Sequence, residues 1–240
     1  WYCADMASGF RAQREIVQQD WRPPVMRQYD ASEVARLFPD YVQDEQCLIL
    51  LVHEGPASRV DAEILAVESI MADLGLKAAD AAAAEGWMSH RNNVPEWRDL
   101  LEQGLIADTI EVSGAWSQID AIYEDVVAAL KTVPDCVNAS AHSSHVYRSG
   151  INLYFTFACM PEDASVMGDR YLESWDQALT ATAKAGGGIA HHHGSGRLRR
   201  DYLHHDLGDN GLALLRKLKR AIDPQGILNP GNLLPLTDAD

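Results

Sequence analysis

ASAHSSHVYRSGINLYFTFA, residues 139–158, reads as two strands and the turn between them. From Ile151 to Ala158 the apolar Ile151, Leu153, Phe155 and Phe157 alternate with Asn152, Tyr154 and Thr156. That period of two belongs to a strand with one buried face, and it puts Tyr154 among polar neighbours. Ala139 to Tyr147 forms the preceding strand, and Arg148, Ser149 and Gly150 supply a hairpin turn. On this pattern alone Tyr154 is either a half-buried strand tyrosine or a functional phenol.

Outward from the hairpin, Cys47 to His53 and Thr109 to Ser113 are further strands. Val60, Ile64, Val67, Met71 and Leu74 recur at helical spacing behind a capping box of Ser58 and Asp61. Ile119, Ile122, Val126 and Leu130 do the same behind Ser117 and Asp120, and Leu214, Leu218 and Ile222 mark a third amphipathic helix. The Ala-rich stretch from Ala78 to Ala84 is also expected to be helical. All three amphipathic stripes need a flat partner, so the expectation is an α+β fold, a largely antiparallel sheet with helices packed on one face.

The 240 residues are 47% hydrophobic, enough for a sizeable core. Thirty-five acidic against 20 basic side chains give a net charge of −15, which disfavours a nucleic-acid partner. No apolar run has the length of a membrane-spanning helix, so a cytoplasmic protein with at most peripheral membrane contact is expected. Cys3, Cys47, Cys136 and Cys159 follow no metal or disulfide spacing and read as free thiols. The chain opens on Trp1, which suggests that residues upstream are missing.

The segment Gly186 to Arg200, GGGIAHHHGSGRLRR, is built like an active-site loop: glycines on both sides of His191, His192 and His193 permit tight turns and close approach. Imidazole can ligate a metal, move protons near neutral pH or donate hydrogen bonds to developing negative charge. His191 and His193, with His204, His205 or Asp206, match no standard metal spacing, so no metal is assigned. Gly194, Ser195 and Gly196 are followed by Arg199 where a dinucleotide loop needs glycine. Arg197, Arg199 and Arg200 either bind an anion or form a solvated helix face.

HHHGSGRLR at 191–199, NLYFTF at 152–157 and AIDPQGILNPGNLLP at 221–235 resemble the alkyldihydroxyacetonephosphate synthases, within the vanillyl-alcohol-oxidase type of FAD-linked oxidases. FRAQREI near the start, VMRQYD around Arg27 and WRDL around Arg98 extend the resemblance over nearly the whole chain. The closing segment is common to the broad group. Relatives that oxidise D-lactate or glycolate resemble the loop with Gly-Glu-His in place of His-His-His, so the triple histidine favours the ether-lipid branch. Two departures are mild: Ser195 stands where the family has a bulky apolar residue, and Arg197 where it has lysine. The region between Arg27 and Arg98 is shorter than in the animal enzymes.

The resemblance implies a flavoenzyme that exchanges the acyl group of acyl-dihydroxyacetone phosphate for a long-chain alcohol. Tyr154 would carry the proton, His191, His192 and His193 would shape the site, and Arg98 and Arg27 would hold anionic groups. His192 and Asn229 would face the cofactor, FAD. Residues 1–240 would form the substrate-binding cap and C-terminal region, with 221–240 returning to an FAD-binding domain outside this chain. The chain alone is then expected to be colourless and inactive, and a homodimer is a possible assembly. Two alternatives stay open: a D-2-hydroxy-acid dehydrogenase of the same flavin group, and a cofactor-free metal-binding or interaction module.

Overall fold

The computed structural model describes residues 1–44 and 46–234. Six strands, β1 (Tyr2–Cys3), β2 (Val25–Tyr29), β3 (Cys47–Val52), β4 (Ile106–Ala115), β5 (Cys136–Ser143) and β6 (Gly150–Cys159), form one sheet in the order β1-β3-β2-β5-β6-β4. Every named pair is antiparallel. Nine α-helices are described: α1 (Met6–Gln18), α2 (Ala31–Leu37), α3 (Ala57–Asp73), α4 (Ala82–His90), α5 (Trp97–Glu102), α6 (Ile119–Lys131), α7 (Met167–Lys184), α8 (Gly196–Arg199) and α9 (Leu203–Ile222). The α+β architecture expected from the sequence is the one observed. None of these helices is long and apolar enough to cross a membrane.

The core lies on one face of the sheet, where α1, α3, α6 and α7 meet the apolar side of the strands. Ile151, Leu153, Phe155 and Phe157 of β6 and Ile110 and Val112 of β4 point into it and are buried, as the alternation requires. Ile119, Ile122, Val126 and Leu130, the stripe read from the sequence, are fully buried against them. A smaller cluster of Tyr2, Tyr29, Val34, Phe38, Leu48 and Leu50 sits on the opposite face, packed by α2 and α4. Between that cluster and β4 the second face carries the polar groups described below.

Several local expectations are corrected. Neither Ser58 nor Ser117 caps a helix: α3 begins behind Pro56 and α6 behind Gln118, both without a side-chain cap. The capping box forms instead at α1, where Asp5 and Ser8 bond reciprocally. Of the Ala-rich stretch only its end is helical, since α4 starts at Ala82. The third amphipathic stripe does not pack: Leu214, Leu218 and Ile222 of α9 are exposed, and Leu212 and Leu215 touch the core in their place. The strand before the hairpin is interrupted after Ser143, where the Asn152 side chain accepts from the backbone N–H of Ser144 and His145, both at 2.8 Å. Pairing resumes at the turn read from the sequence: Val146 bridges Ile151, and the Tyr147 N–H donates to the Gly150 carbonyl at 2.9 Å. The four cysteines are free thiols, as read from their spacing.

Phe155 is fully buried at the centre of the core. Phe155→Ala should therefore cost about 3–5 kcal/mol, read as a lowered denaturant midpoint at unchanged slope.

Candidate active site

Strand register places one row of side chains across the second face. Tyr29 pairs with Leu48 and with His142, His142 pairs with Tyr154, and Tyr154 pairs with Glu111. Because directly opposed residues share a face, Tyr29, His142, Tyr154 and Glu111 stand side by side from β2 to β4. The Tyr154 and His142 rings stack with centroids 4.9 Å apart and 27° between planes. Thr109 Oγ1 donates to the Tyr154 phenol oxygen at 2.9 Å.

The histidine loop is delivered to this row from the edge of the sheet. Gly188 and Ser113 of β4 exchange both backbone hydrogen bonds, at 2.8 and 3.1 Å. The approach is so close that a Cβ on Gly187 would lie 2.8 Å from Ile122 Cδ1 and 2.9 Å from Thr182 Cγ2, and Gly194 adopts a positive φ of 77°. Arg199 closes the loop from beneath. Its guanidinium donates to the carbonyls of Ile189 (3.0 Å), Gly194 (3.2 Å) and Glu111 (3.2 Å), and lies 4.7 Å from the Trp175 ring centroid. Arg199 is 6% exposed, so the solvated-face reading of this residue is corrected: it is a buried tether.

The loop brings the imidazoles to Glu111, whose side chain is fully buried and was not singled out from the sequence. His191 Nδ1 lies 3.2 Å from Glu111 Oε1, His192 Nδ1 3.0 Å from Oε2 and His193 Nε2 3.5 Å from Oε2. Asn152 Nδ2 donates to Oε1 at 2.5 Å. None of the ring N–H groups is aimed well enough at Oε2 to bond it, so this buried oxygen has no hydrogen bond. His145 joins from the hairpin, 4.7 Å from the His192 ring and 4.0 Å from Glu111 Oε1. Burial, and then the neighbouring imidazole charge, lowers the pKa of His145. The His193 pKa is also lowered by burial first, against the opposing pull of Glu111.

Tyr154 and the loop therefore meet. The His193 ring stands edge-on to Tyr154, with centroids 5.3 Å apart, and His191 Nε2 lies 2.9 Å from the Tyr147 hydroxyl. Arg27 is on the same face, donating Nε to Tyr29 Oη at 2.7 Å and lying 5.4 Å from the Trp87 ring centroid. Its two terminal nitrogens make no hydrogen bond among the described residues. Arg91 lies over the same indole at 5.4 Å.

Arg98 and Asn229 are placed elsewhere. Arg98 is exposed on α5, whose Trp97 packs edge-on against Tyr171 of α7, and it forms no ion pair with Glu102. Asn229 is exposed in the C-terminal turn, which Arg200 holds by donating to the Gly231 carbonyl at 2.7 Å. No contact joins either residue to the imidazoles. Sequence reasoning also missed His142 and Glu33. Buried Glu33 of α2 bonds His142 Nδ1 at 3.2 Å, while Arg36 (2.8 Å) and Ser140 Oγ (3.1 Å) donate to its other oxygen.

A family model, FAD linked oxidases, C-terminal domain, matches residues 1–233. The chain belongs to that family. It is 32% identical over 249 residues to YgcU, an uncharacterized FAD-linked oxidoreductase of Escherichia coli, covering 97% of this chain and 50% of the relative. An alkyldihydroxyacetonephosphate synthase of Dictyostelium discoideum is 28% identical over 196 residues, covering 79% of this chain and 32% of that protein. A solved alkyldihydroxyacetonephosphate synthase superimposes with a TM-score of 0.63 at 22% identity, over 94% of this chain and 42% of that one. The last likeness speaks for the fold. The chain spans about half the length of YgcU and a third of the synthase.

The Glu33 carboxyl gives the site a pH signature. Burial alone would raise its pKa, but the hydrogen bond and charge of His142 and the Arg36 guanidinium outweigh burial and hold it at about 2. A carboxyl held below its unfolded value favours folding above that value and loses the contribution as pH falls through the folded one. Glu33→Gln should cost roughly 1–3 kcal/mol at pH 7, the difference closing between about pH 4.5 and 2, as read from urea unfolding at each pH.

Proposed function

We propose that the chain is the substrate-binding cap and C-terminal part of an FAD-dependent enzyme that acts like an alkyldihydroxyacetonephosphate synthase, exchanging acyl for alkyl on acyl-dihydroxyacetone phosphate. The observation that carries this reading is the meeting of Tyr154 with His193, at the edge of the imidazole cluster gathered on Glu111. The residues fit the reacting edge of a flavin. His192 is half exposed, and the unbonded buried Oε2 of Glu111 keeps polarised imidazoles around it. They do not resemble a pyrophosphate cradle, which is assigned to the part of the enzyme outside this chain. The C-terminal segment from Ala221 onward is assigned a return toward that part.

FAD, when bound, supplies the electron-poor ring at which the exchange takes place. The chain's own residues do the positioning and proton work. Tyr154 takes and returns a proton at the carbon beside the substrate ketone. The Thr109 hydroxyl donates to the phenol oxygen and holds it in place. His193 closes one side of the phenol, and His191 is braced by Glu111 and Tyr147. Arg27, with Nε committed to Tyr29, turns the fork of its terminal nitrogens to the anionic group of the substrate. Arg98 would act on the phosphate only if substrate binding draws α5 inward.

A second reading rests on one feature. Glu111, His145, His191 and His192 each offer a ligand atom, and these atoms lie within 4.8 Å of one another, a donor set that suits zinc. Metal analysis of the purified chain separates the readings: stoichiometric zinc supports the metal module, whereas absence of metal and of flavin colour fits the cap of a flavoenzyme.

In the full-length, flavin-loaded enzyme, Tyr154→Phe keeps the ring and removes the hydroxyl. Turnover should fall by about 10²–10⁴ with the fold intact by circular dichroism. Retained turnover refutes the proton role. Bleaching of the flavin by D-lactate would move the assignment to a hydroxy-acid dehydrogenase.

A further inference from the structure

We propose that the buried Glu33–His142 pair is a positioning device for Tyr154: the carboxylate fixes the imidazole, and the imidazole fixes the plane of the phenol. The proposal rests on the reading of Tyr154 as the proton carrier and names two residues outside the histidine loop that serve it.

The geometry is a stack with a locked far end. His142 lies between two tyrosines, with the Tyr154 ring 4.9 Å away at 27° and the Tyr29 ring 5.3 Å away at 32°. Strand pairing alone would bring these residues side by side, but it leaves the side-chain torsions of each ring open. The Nδ1 bond to Glu33 settles the torsion of His142, and the His142 face then limits that of Tyr154. Offset stacking of this kind is worth about 0.5–1.5 kcal/mol per pair, enough to favour one orientation of an otherwise half-exposed ring.

Glu33 is itself immobile. Ser140 Oγ and Arg36 hold its other oxygen, and its backbone N–H bonds the Asp30 carboxylate at 2.8 Å. That same Asp30 accepts from the backbone N–H of Ala141 at 2.7 Å, the residue preceding His142. Helix α2 and strand β5 are thus pinned together on either side of the Glu33–His142 bond. On its far side Tyr154 has its register partner Glu111, the Thr109 hydroxyl and the edge of His193. The packed face of the phenol is the one that His142 provides.

Glu33 is buried and His142 is partly buried, and a neutral pair of apolar residues would fill the same space without the desolvation of a carboxylate. Keeping an ionised carboxylate beneath an imidazole is accounted for by the fixed orientation it imposes on the ring above.

Three His142 variants and Tyr154→Phe, compared in the full-length flavin-loaded enzyme, test this. The assay is fatty-acid release from hexadecanoyl-dihydroxyacetone phosphate with hexadecanol. His142→Ala should lower kcat by about 10–100-fold and leave KM within about twofold, the signature of misaligned chemistry with intact binding. His142→Phe keeps a ring in the stack but loses the bond to Glu33, so it should recover only part of the lost kcat. His142→Asn can still bond Glu33 but has no ring, and should resemble alanine. Should the alanine variant fail to fold, the phenylalanine and asparagine variants decide by themselves. Equal kcat in these two, or full activity in the asparagine variant beside an inactive Tyr154→Phe, overturns the positioning role alone. An active Tyr154→Phe overturns the proton role and this proposal with it.

Discussion

Three carbonyls converge on the Arg199 guanidinium, and the site depends on that convergence. Two of them, from Ile189 and Gly194, bracket the triple histidine, and the third belongs to Glu111 on the edge strand. A buried cation is tolerated only where hydrogen bonds replace its water. Here those bonds go to the two ends of the loop and to the strand beneath, so satisfying the charge also fixes the loop. Burial lowers the Arg199 pKa, while the Glu111 and Asp108 charges work against that shift. The same carboxylate that gathers the imidazoles therefore helps to hold the tether in its charged form.

Glu111 plays the complementary part from within the sheet. A fully buried carboxylate with one unbonded oxygen is a local liability in stability, and its neighbours only partly offset it. The neighbours are imidazoles, which can take up positive charge when the site requires it and release it when it does not. An arginine in their place would neutralise the carboxylate permanently and remove that freedom. The partly satisfied cluster reads as a group held ready for charge development, in contrast to the saturated Glu33, where every oxygen has a donor.

What the sequence revealed depended on period and local contrast. The strict alternation in β6 identified both the core residues and Tyr154, and the glycine-flanked histidines announced a loop built for close approach. Strand β2 was missed because Arg27 and Gln28 interrupt its apolar pattern, yet Gln28 is fully buried, bonded to Gln13 and to the Met6 carbonyl. Polar groups that satisfy one another across elements leave no local trace. Glu111 and Glu33 were hidden for the same reason: each looks like a surface acid until pairing brings its partner, 80 and 109 residues away, into contact. Arg199 lacked a signal too, since its three acceptors are backbone carbonyls. The failed capping boxes erred in the other direction, because a serine three residues before an acid fits many chain positions that tertiary packing then overrides.

The core and the site share one degree of freedom, strand register. A slip of one residue in β6 would send Tyr154 into the core and Phe155 out among the imidazoles, and it would do the same to His142 and Ala141 if β5 moved. The observed irregularity between Cys136 and Asn138 occurs at the far end of the β5–β6 pair. From Ala139 onward the register runs unbroken through His142 and Tyr154, so the extra residue is absorbed where it disturbs neither ring. Phe155 and Phe157, buried under α6 and α7, resist any slip because it would expose both rings and bury a phenol and a threonine. Hydrophobic burial on one face of the sheet is thus the force that holds the chemistry on the other in line, and the side chains around Tyr154 need to supply only the last torsion angles.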